Sequence, residues 1–210
     1  MEHTPESSSF YSMILRMKYV GRWGLMRNTW QENLSEHSLE VAILAHALAV
    51  IASRRFGREA DPQRAAVLAL FHDAPEIITG DLPTPVKYYN DEICHAYKQI
   101  EQAAGRTLLE LLPEDLRDAY EPLFVPQEED AFLWRLVKAA DKLSALIKCM
   151  EEEKAGNTEF SVARQAQLEA LHAMALPEAE LFLSEFLDGF SKTLDEQSHP
   201  QKEIENPPDL

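Results

Sequence analysis

The residue types best suited to chemistry here are two imidazoles and two carboxylates spread along the chain, His37, His72, Asp73 and Asp141. Such a nitrogen and oxygen donor set suits Mn²⁺, Co²⁺, Fe²⁺, Ni²⁺ or Zn²⁺ better than an ion that prefers thiolates. The run Phe71-His72-Asp73-Ala74-Pro75-Glu76 closes a strongly apolar segment, Ala65–Phe71. An imidazole beside a carboxylate is costly to bury there without a partner, and a metal ion is one such partner. On a continuous helix His72 and Glu76, spaced i, i+4, share a face, and Asp73 and Glu76 are i, i+3 neighbours. A His-Asp pair alone is weak evidence, because a hydrogen-bonded helix end is the commoner reason for one.

The elements that must hold these groups are helical. At about 100° per residue, His37 aligns with Val41, Leu44, Leu48 and Ile51, the inward stripe of its helix, whereas His46 falls on the opposite side and cannot join it at one metal. Asp141 lies at the margin of a stripe formed by Leu133, Leu136, Val137, Ala140 and Ser144, and needs compensation there. A salt bridge to Lys138 or Lys142 is its ordinary alternative. Apolar residues recur at three and four almost throughout, which predicts helices near 8–19, 36–55, 62–79, 90–112, 114–121, 128–154, 158–173 and 177–195. Ser35 is read as the cap of the helix holding His37, Asp61-Pro62 as a helix start, and Gly80 and Gly156-Asn157 as helix ends. Gly21–Leu34 has no clean period and reads as a loop whose Trp and Arg side chains are available to a ligand. Asp81-Leu82-Pro83-Thr84-Pro85 reads as a second loop, stiffened by its prolines.

With 210 residues and 45% hydrophobic content, the chain is long enough for one sizeable core. The expected fold class is all-α, a single helical bundle over 1–197 around one metal site, followed by a disordered polar tail over 198–210. A formal net charge of −16 argues against a nucleic acid polymer as partner. A small phosphorylated molecule remains compatible, since a divalent metal and one or two basic side chains reverse the sign inside a pocket. Cys94 and Cys149 form no CxxC spacing, which fits the cytoplasm and no disulfide framework. No stretch reads as a membrane span, and Val41–Ala52, the most apolar window, reads as a buried helix.

The order His…His-Asp…Asp resembles the HD-domain superfamily, and within it the bacterial 5′-deoxynucleotidases. The resemblance runs from about Met13 to Asp195. It rests on the strings Arg22-Trp23-Gly24-Leu25-Met26-Arg27-Asn28, Glu32-Asn33-Leu34-Ser35-Glu36-His37-Ser38-Leu39, His72-Asp73-Ala74-Pro75-Glu76 and Thr79-Gly80-Asp81-Leu82-Pro83-Thr84-Pro85-Val86-Lys87-Tyr88. Two departures are small: the family commonly has Ser at Pro75 and Ala at Lys142. The resemblance implies one divalent ion on His37, His72, Asp73 and Asp141, with Co²⁺ or Mn²⁺ foremost and Zn²⁺, Ni²⁺, Cu²⁺ or Mg²⁺ as alternatives. It implies hydrolysis of 2′-deoxyribonucleoside 5′-monophosphates by a homodimer.

Roles for individual residues follow. Glu76 is the candidate for orienting the attacking water and handling its proton, and a helix-surface Glu is its alternative. Arg22 offers a planar fork for the phosphate. By resemblance Trp23 packs where a 2′-hydroxyl would sit, and Asp81 and Thr84 hold the 3′ side of the sugar. Leu82 and Pro83 complete that wall, and His37, Asp73 and Asp141 also face substrate. The catalytic set is then Glu76, Arg22 and Asp81.

Rival readings are another HD hydrolase or a non-catalytic helical protein that uses its metal for stability. Alarmone hydrolases resemble HDxxED, whereas Ile77 follows Glu76 here. The GYP signature of cyclic-dinucleotide enzymes is absent, and a triphosphatase would show more basic residues around its motifs. A purely structural metal leaves Arg22, Glu76 and Asp81 without a task.

Overall fold

The computed structural model describes residues 7–87 and 89–198, with the Thr84 side chain outside the description. Its α-helices are α1 (Phe10–Ile14), α2 (Leu34–Phe56), α3 (Pro62–Phe71), α4 (Glu76–Thr79), α5 (Thr84–Lys87), α6 (Asp91–Glu110), α7 (Glu114–Phe124), α8 (Ala131–Lys154), α9 (Ser161–Ala173), α10 (Pro177–Glu185) and α11 (Leu194–Ser198). The expected all-α class is the fold observed. Among the described residues the only β pairing is an isolated antiparallel bridge between Gly21 and Asn33.

The centre of the bundle is α2 against α3 and α8, with α9 and α10 closing the far side. By length and composition α2 could cross a membrane. Instead Val41, Ala45, Leu48, Ala49 and Ala52 are buried against Leu68, Leu136, Val137, Ala140 and Leu143 of its neighbours. Each such leucine contributes about 1.5–3 kcal/mol by leaving water. A second cluster joins Phe10, Met17 and Leu34 to Ala74, Leu108 and Leu112, and ties the loop after α3 to α6.

Several helix boundaries differ from the sequence reading, each for a local reason. The cap of α2 is Asn33 rather than Ser35: its side chain accepts from the Ser35 and Glu36 amides while Glu36 reaches back to the Asn33 amide. Such reciprocal capping satisfies donors that have no partner in the first turn. The expected helix over 62–79 is broken into α3 and α4 around Pro75, which has no amide proton to give the Phe71 carbonyl and whose ring would crowd it. Residues 72–75 form tight turns instead, with Ala74 N–H on the Phe71 carbonyl and Glu76 N–H on the Asp73 carbonyl. His72 and Glu76 therefore do not share a helix face in the way their i, i+4 spacing suggested.

The expected helix over 177–195 is likewise three pieces, and Thr193 with Glu196 forms a fresh N-terminal cap that starts α11. The first helix tightens to a 3₁₀ segment over Leu15–Tyr19. The loop from Asp81 holds one short turn, α5, whose Val86 and Lys87 amides bond the Pro83 carbonyl. Asp61-Pro62 and Gly80 act as read, with Asp61 accepting from Gln63 and Arg64 and Gly80 at φ 74°. Gly156, at φ 87°, follows the end of α8. The tail over 198–210 lies, past Ser198, outside the described residues.

Candidate metal centre and phosphate site

Three helices deliver the four expected ligands to one point. His37 stands in the first turns of α2, fixed by the Asn33–Glu36 cap, His72 and Asp73 lie in the turn that follows α3, and Asp141 comes from the middle of α8. One donor atom from each lies within 4.8 Å of those of the others. The His37 Nε2 is 3.2 Å from an Asp141 oxygen and 3.5 Å from Asp73 Oδ2, which is 3.1 Å from the His72 Nε2. Asp141 thus turns to His37 rather than to Lys138 or Lys142, and His46 is exposed on the other side of α2.

Neighbouring groups aim the two imidazoles. The His72 Nδ1 lies 2.7 Å from the Ala69 carbonyl, which can only accept, so Nδ1 carries the proton and Nε2 presents a lone pair. Ser144 donates its hydroxyl proton to Glu40 at 3.0 Å, so its oxygen accepts from the His37 Nδ1, 3.1 Å away. Both Nε2 atoms are buried and make no hydrogen bond within the protein. Two free imidazole lone pairs meeting two carboxylates form a donor set that fits a divalent cation, and hydrogen bonds on the outer nitrogens are the usual way such ligands are oriented.

Without a cation the carboxylates draw a proton onto His37, in the place a metal would take. Burial opposes charge on His37, yet Asp141, Asp73 and Glu32 raise its pKa well above the usual histidine range. Asp73, despite its own burial, is held well below the carboxylate range by His72 and His37. For Glu76, burial and the charges of Asp73 and Asp81 push the carboxyl up to about 9, against an opposing pull from Lys87 3.8 Å away. Its Oε2 is buried with no hydrogen bond. Among the described residues Glu76 is not one of the clustered ligand atoms, in keeping with a role beside a metal rather than on it. A cavity of about 310 Å³ opens along this turn, lined by His72, Asp73, Glu76, Lys87, Phe124 and Trp134.

Arg22 reaches the same centre from the first loop, with a guanidinium nitrogen 3.6 Å from Asp73 and Nε 3.4 Å from Glu32. Trp23 is the neighbour with φ 57°, a left-handed backbone that costs a non-glycine residue about 1–2 kcal/mol. Its indole N–H donates to Glu32 at 2.8 Å, and its ring leans on Phe160 with centroids 5.3 Å apart. Asp81 lies near enough to act electrostatically on both Arg22 and Glu76. Leu82 and Pro83 follow it, half-buried, and Thr84 opens α5 with a side chain outside the described residues.

Glu32 was missed by sequence reasoning. It is 7% exposed and serves Arg22, Trp23 and His37 together, the last across 3.6 Å to Nδ1. The available signal was its place in the string leading to His37, five residues ahead of that ligand.

Comparison with known proteins fits this geometry. A family model described as 5′-deoxynucleotidase YfbR-like matches residues 9–190. A protein of Erwinia tasmaniensis named 5′-deoxynucleotidase is 48% identical over 191 residues, covering 91% of this chain and 96% of the relative. Among solved structures, an HD-domain phosphohydrolase from Listeria innocua superposes with a TM-score of 0.76 at 20% identity, covering 87% of this chain and 88% of its own. A cyanophage S-2L HD phosphohydrolase, bound to dA and one catalytic Zn²⁺, superposes with a TM-score of 0.59 at 19% identity, covering 87% and 96%. The fold, the clustered ligands and the sequence match over most of the chain lead to one conclusion: this chain belongs to the YfbR-like 5′-deoxynucleotidase family, on the HD-domain fold.

Proposed function

We propose that the protein is a metal-dependent phosphomonoesterase that hydrolyses 2′-deoxyribonucleoside 5′-monophosphates to deoxynucleoside and phosphate. The observation that carries this reading is the meeting of two buried, unbonded imidazole nitrogens with Asp73 and Asp141 beside the Arg22 guanidinium. His37, His72, Asp73 and Asp141 would hold one divalent ion, with Co²⁺ or Mn²⁺ favoured. When bound, such an ion acidifies a coordinated water and neutralises charge on a phosphoryl oxygen.

Arg22 binds the phosphate through paired N–H donors and fixes the phosphorus for in-line attack. Glu76 takes a proton from the attacking water at its unbonded Oε2 and returns one to the departing 5′-oxygen as the P–O bond breaks. Burial, Asp73 and Asp81 hold this carboxyl protonated at neutral pH in the metal-free protein, so it is a bound cation that would lower it into the range where it accepts that proton. Trp23 excludes a 2′-hydroxyl, while Asp81, Leu82, Pro83 and Thr84 wall the sugar. His37, Asp73 and Asp141 face the phosphate as well as the ion. The dA-bound cyanophage structure and the names of the relatives support a deoxynucleotide substrate.

A homodimer is part of this reading, supported by the family resemblance and by Leu39, Ile43 and Val50, exposed along one side of α2. Light scattering tests it. Both cysteines are free, in keeping with a cytoplasmic location. The direct test of the activity is phosphate release from a panel of ribo and deoxy 5′-monophosphates, 3′-monophosphates and triphosphates, after chelation and with each metal restored separately. Turnover confined to deoxy 5′-monophosphates and dependent on metal is expected. Equal rates on dAMP and AMP, or a preference for triphosphates, would overturn it.

A further inference from the structure

The loop that carries Arg22 and Trp23 is closed at its base by the Gly21–Asn33 bridge, with the Arg22 amide on the Glu32 carbonyl at 3.0 Å. Its far limb is held by groups that play no part in the chemistry described above. Glu152, in the last turns of α8, is 2% exposed, and its carboxylate accepts from the Thr29 amide at 2.8 Å and the Trp30 amide at 3.2 Å. Lys148, 6% exposed, lies one turn earlier, pairs with Glu152 and donates to the Trp30 carbonyl. Asn157, 7% exposed, donates to the Arg27 carbonyl at 2.7 Å and to Glu152 at 2.8 Å. Phe160, wholly buried just beyond, supports the Trp23 ring.

A buried ion pair is a poor way to gain stability, because desolvating both charges offsets most of their attraction. Its better-attested use is to fix one geometry among several. Here every remaining hydrogen bond of the pair goes to backbone of residues 27–30 or to Asn157, so what it fixes is the path of this loop. About two turns of α8 separate Lys148 from Asp141, and about three separate Glu152, so the same helix that supplies a metal ligand also registers the loop against it.

We propose that Lys148, Glu152 and Asn157 are positioning residues for sugar selectivity, acting through the 27–30 backbone on Arg22 and Trp23. The inference rests on the reading of Trp23 as the group that excludes a 2′-hydroxyl. A steric filter discriminates only while it is held still. A loop free to shift by a fraction of an ångström would admit the extra hydroxyl and also loosen the arginine's alignment on the phosphate, where small displacements cost much of the rate.

The test is a mutant cycle on purified, metal-loaded enzyme, with kcat/KM measured on dAMP and AMP for wild type, Trp23→Ala, Glu152→Gln and the double variant. Bound metal per chain is measured alongside. Glu152→Gln keeps the shape of the side chain and removes its charge. Its dAMP to AMP ratio is expected to fall by about tenfold with metal content unchanged, and the double variant should match Trp23→Ala, since residues acting through one unit are not additive. A merely structural role would lower both activities together and leave the ratio intact, and that result would overturn the proposal. If Trp23→Ala keeps the wild-type ratio, the sugar reading itself fails and this inference falls with it. If Trp23→Ala loses the ratio and Glu152→Gln keeps it, only this inference fails. Should Glu152→Gln not fold, Asn157→Ala decides in its place, with a smaller fall in the ratio expected and an unchanged ratio overturning the proposal.

Discussion

Replacing Glu32 by Gln changes one charge at the point where the phosphate site and the metal site meet. The carboxylate lies 3.4 Å from Arg22 Nε, and both side chains are largely buried, 7% and 12% exposed. At that separation and an effective dielectric of about 20, the pair is worth about 5 kcal/mol of gross attraction. Several kcal/mol of desolvation are recovered when the carboxylate becomes a neutral amide. The amide oxygen can still accept from the Trp23 indole, so that bond survives. A net loss of about 1–3 kcal/mol remains, and at about 1.4 kcal/mol per decade that is about 5- to 150-fold if it falls on catalysis.

Catalysis is where it should fall. Arg22 has a second carboxylate within reach, Asp73 at 3.6 Å, and without Glu32 the guanidinium is drawn further toward that ligand. The arginine is then less available to phosphate. The assay is kcat/KM on dAMP with bound metal and thermal midpoint measured on the same preparation. The expected result is a fall of at least about fivefold with metal retained. Wild-type kcat/KM, or a loss matched wholly by the unfolded fraction, would refute the reasoning.

Asp141→Ala should lose metal and activity together, because His37, His72 and Asp73 are left to hold a cation with one carboxylate fewer; full metal content in the purified variant would remove Asp141 from the ligand set. Glu76→Gln should keep the ion while kcat falls by about 100-fold or more, as measured by steady-state kinetics with metal analysis, and loss of metal would instead make Glu76 a ligand. Glu152 has its pKa lowered, against the effect of burial, by Lys148, Asn157 and the Thr29 amide. A depressed carboxylate contributes stability above the ordinary glutamate value near 4.5 and loses it as pH falls toward the folded value. The unfolding free energy of wild type over Glu152→Gln, from urea titrations, should therefore be constant above about pH 5 and shrink below it, whereas a gap independent of pH would contradict the pairing.

The four clustered residues were legible because each breaks an expectation that can be read along one helix: His37 sits on an inward stripe, Asp141 on the margin of another, and His72-Asp73 at the end of an apolar run. The broken helix at residues 72–75 was a matter of one residue's covalent structure, and Pro75 stood in plain view. What could not be read was any relation made by a loop closing on a distant helix. Glu32 has no periodic neighbour, and its partners Arg22, Trp23 and His37 come together where the loop closes through the pairing of Gly21 with Asn33. Lys148 and Glu152 were visible as an i, i+4 ion pair, an arrangement usually found on solvated surfaces. Their burial depends on residues more than a hundred positions earlier.

The most direct test of the central claim is a titration of chelated, metal-free protein with Mn²⁺ or Co²⁺, following bound ion and dAMP hydrolysis in the same samples. Turnover should rise from near zero in proportion to the first ion bound and saturate at one ion per chain, with no rise in the Asp141→Ala variant. Full turnover in the presence of chelator, or activity that appears only after a second ion binds, would contradict it.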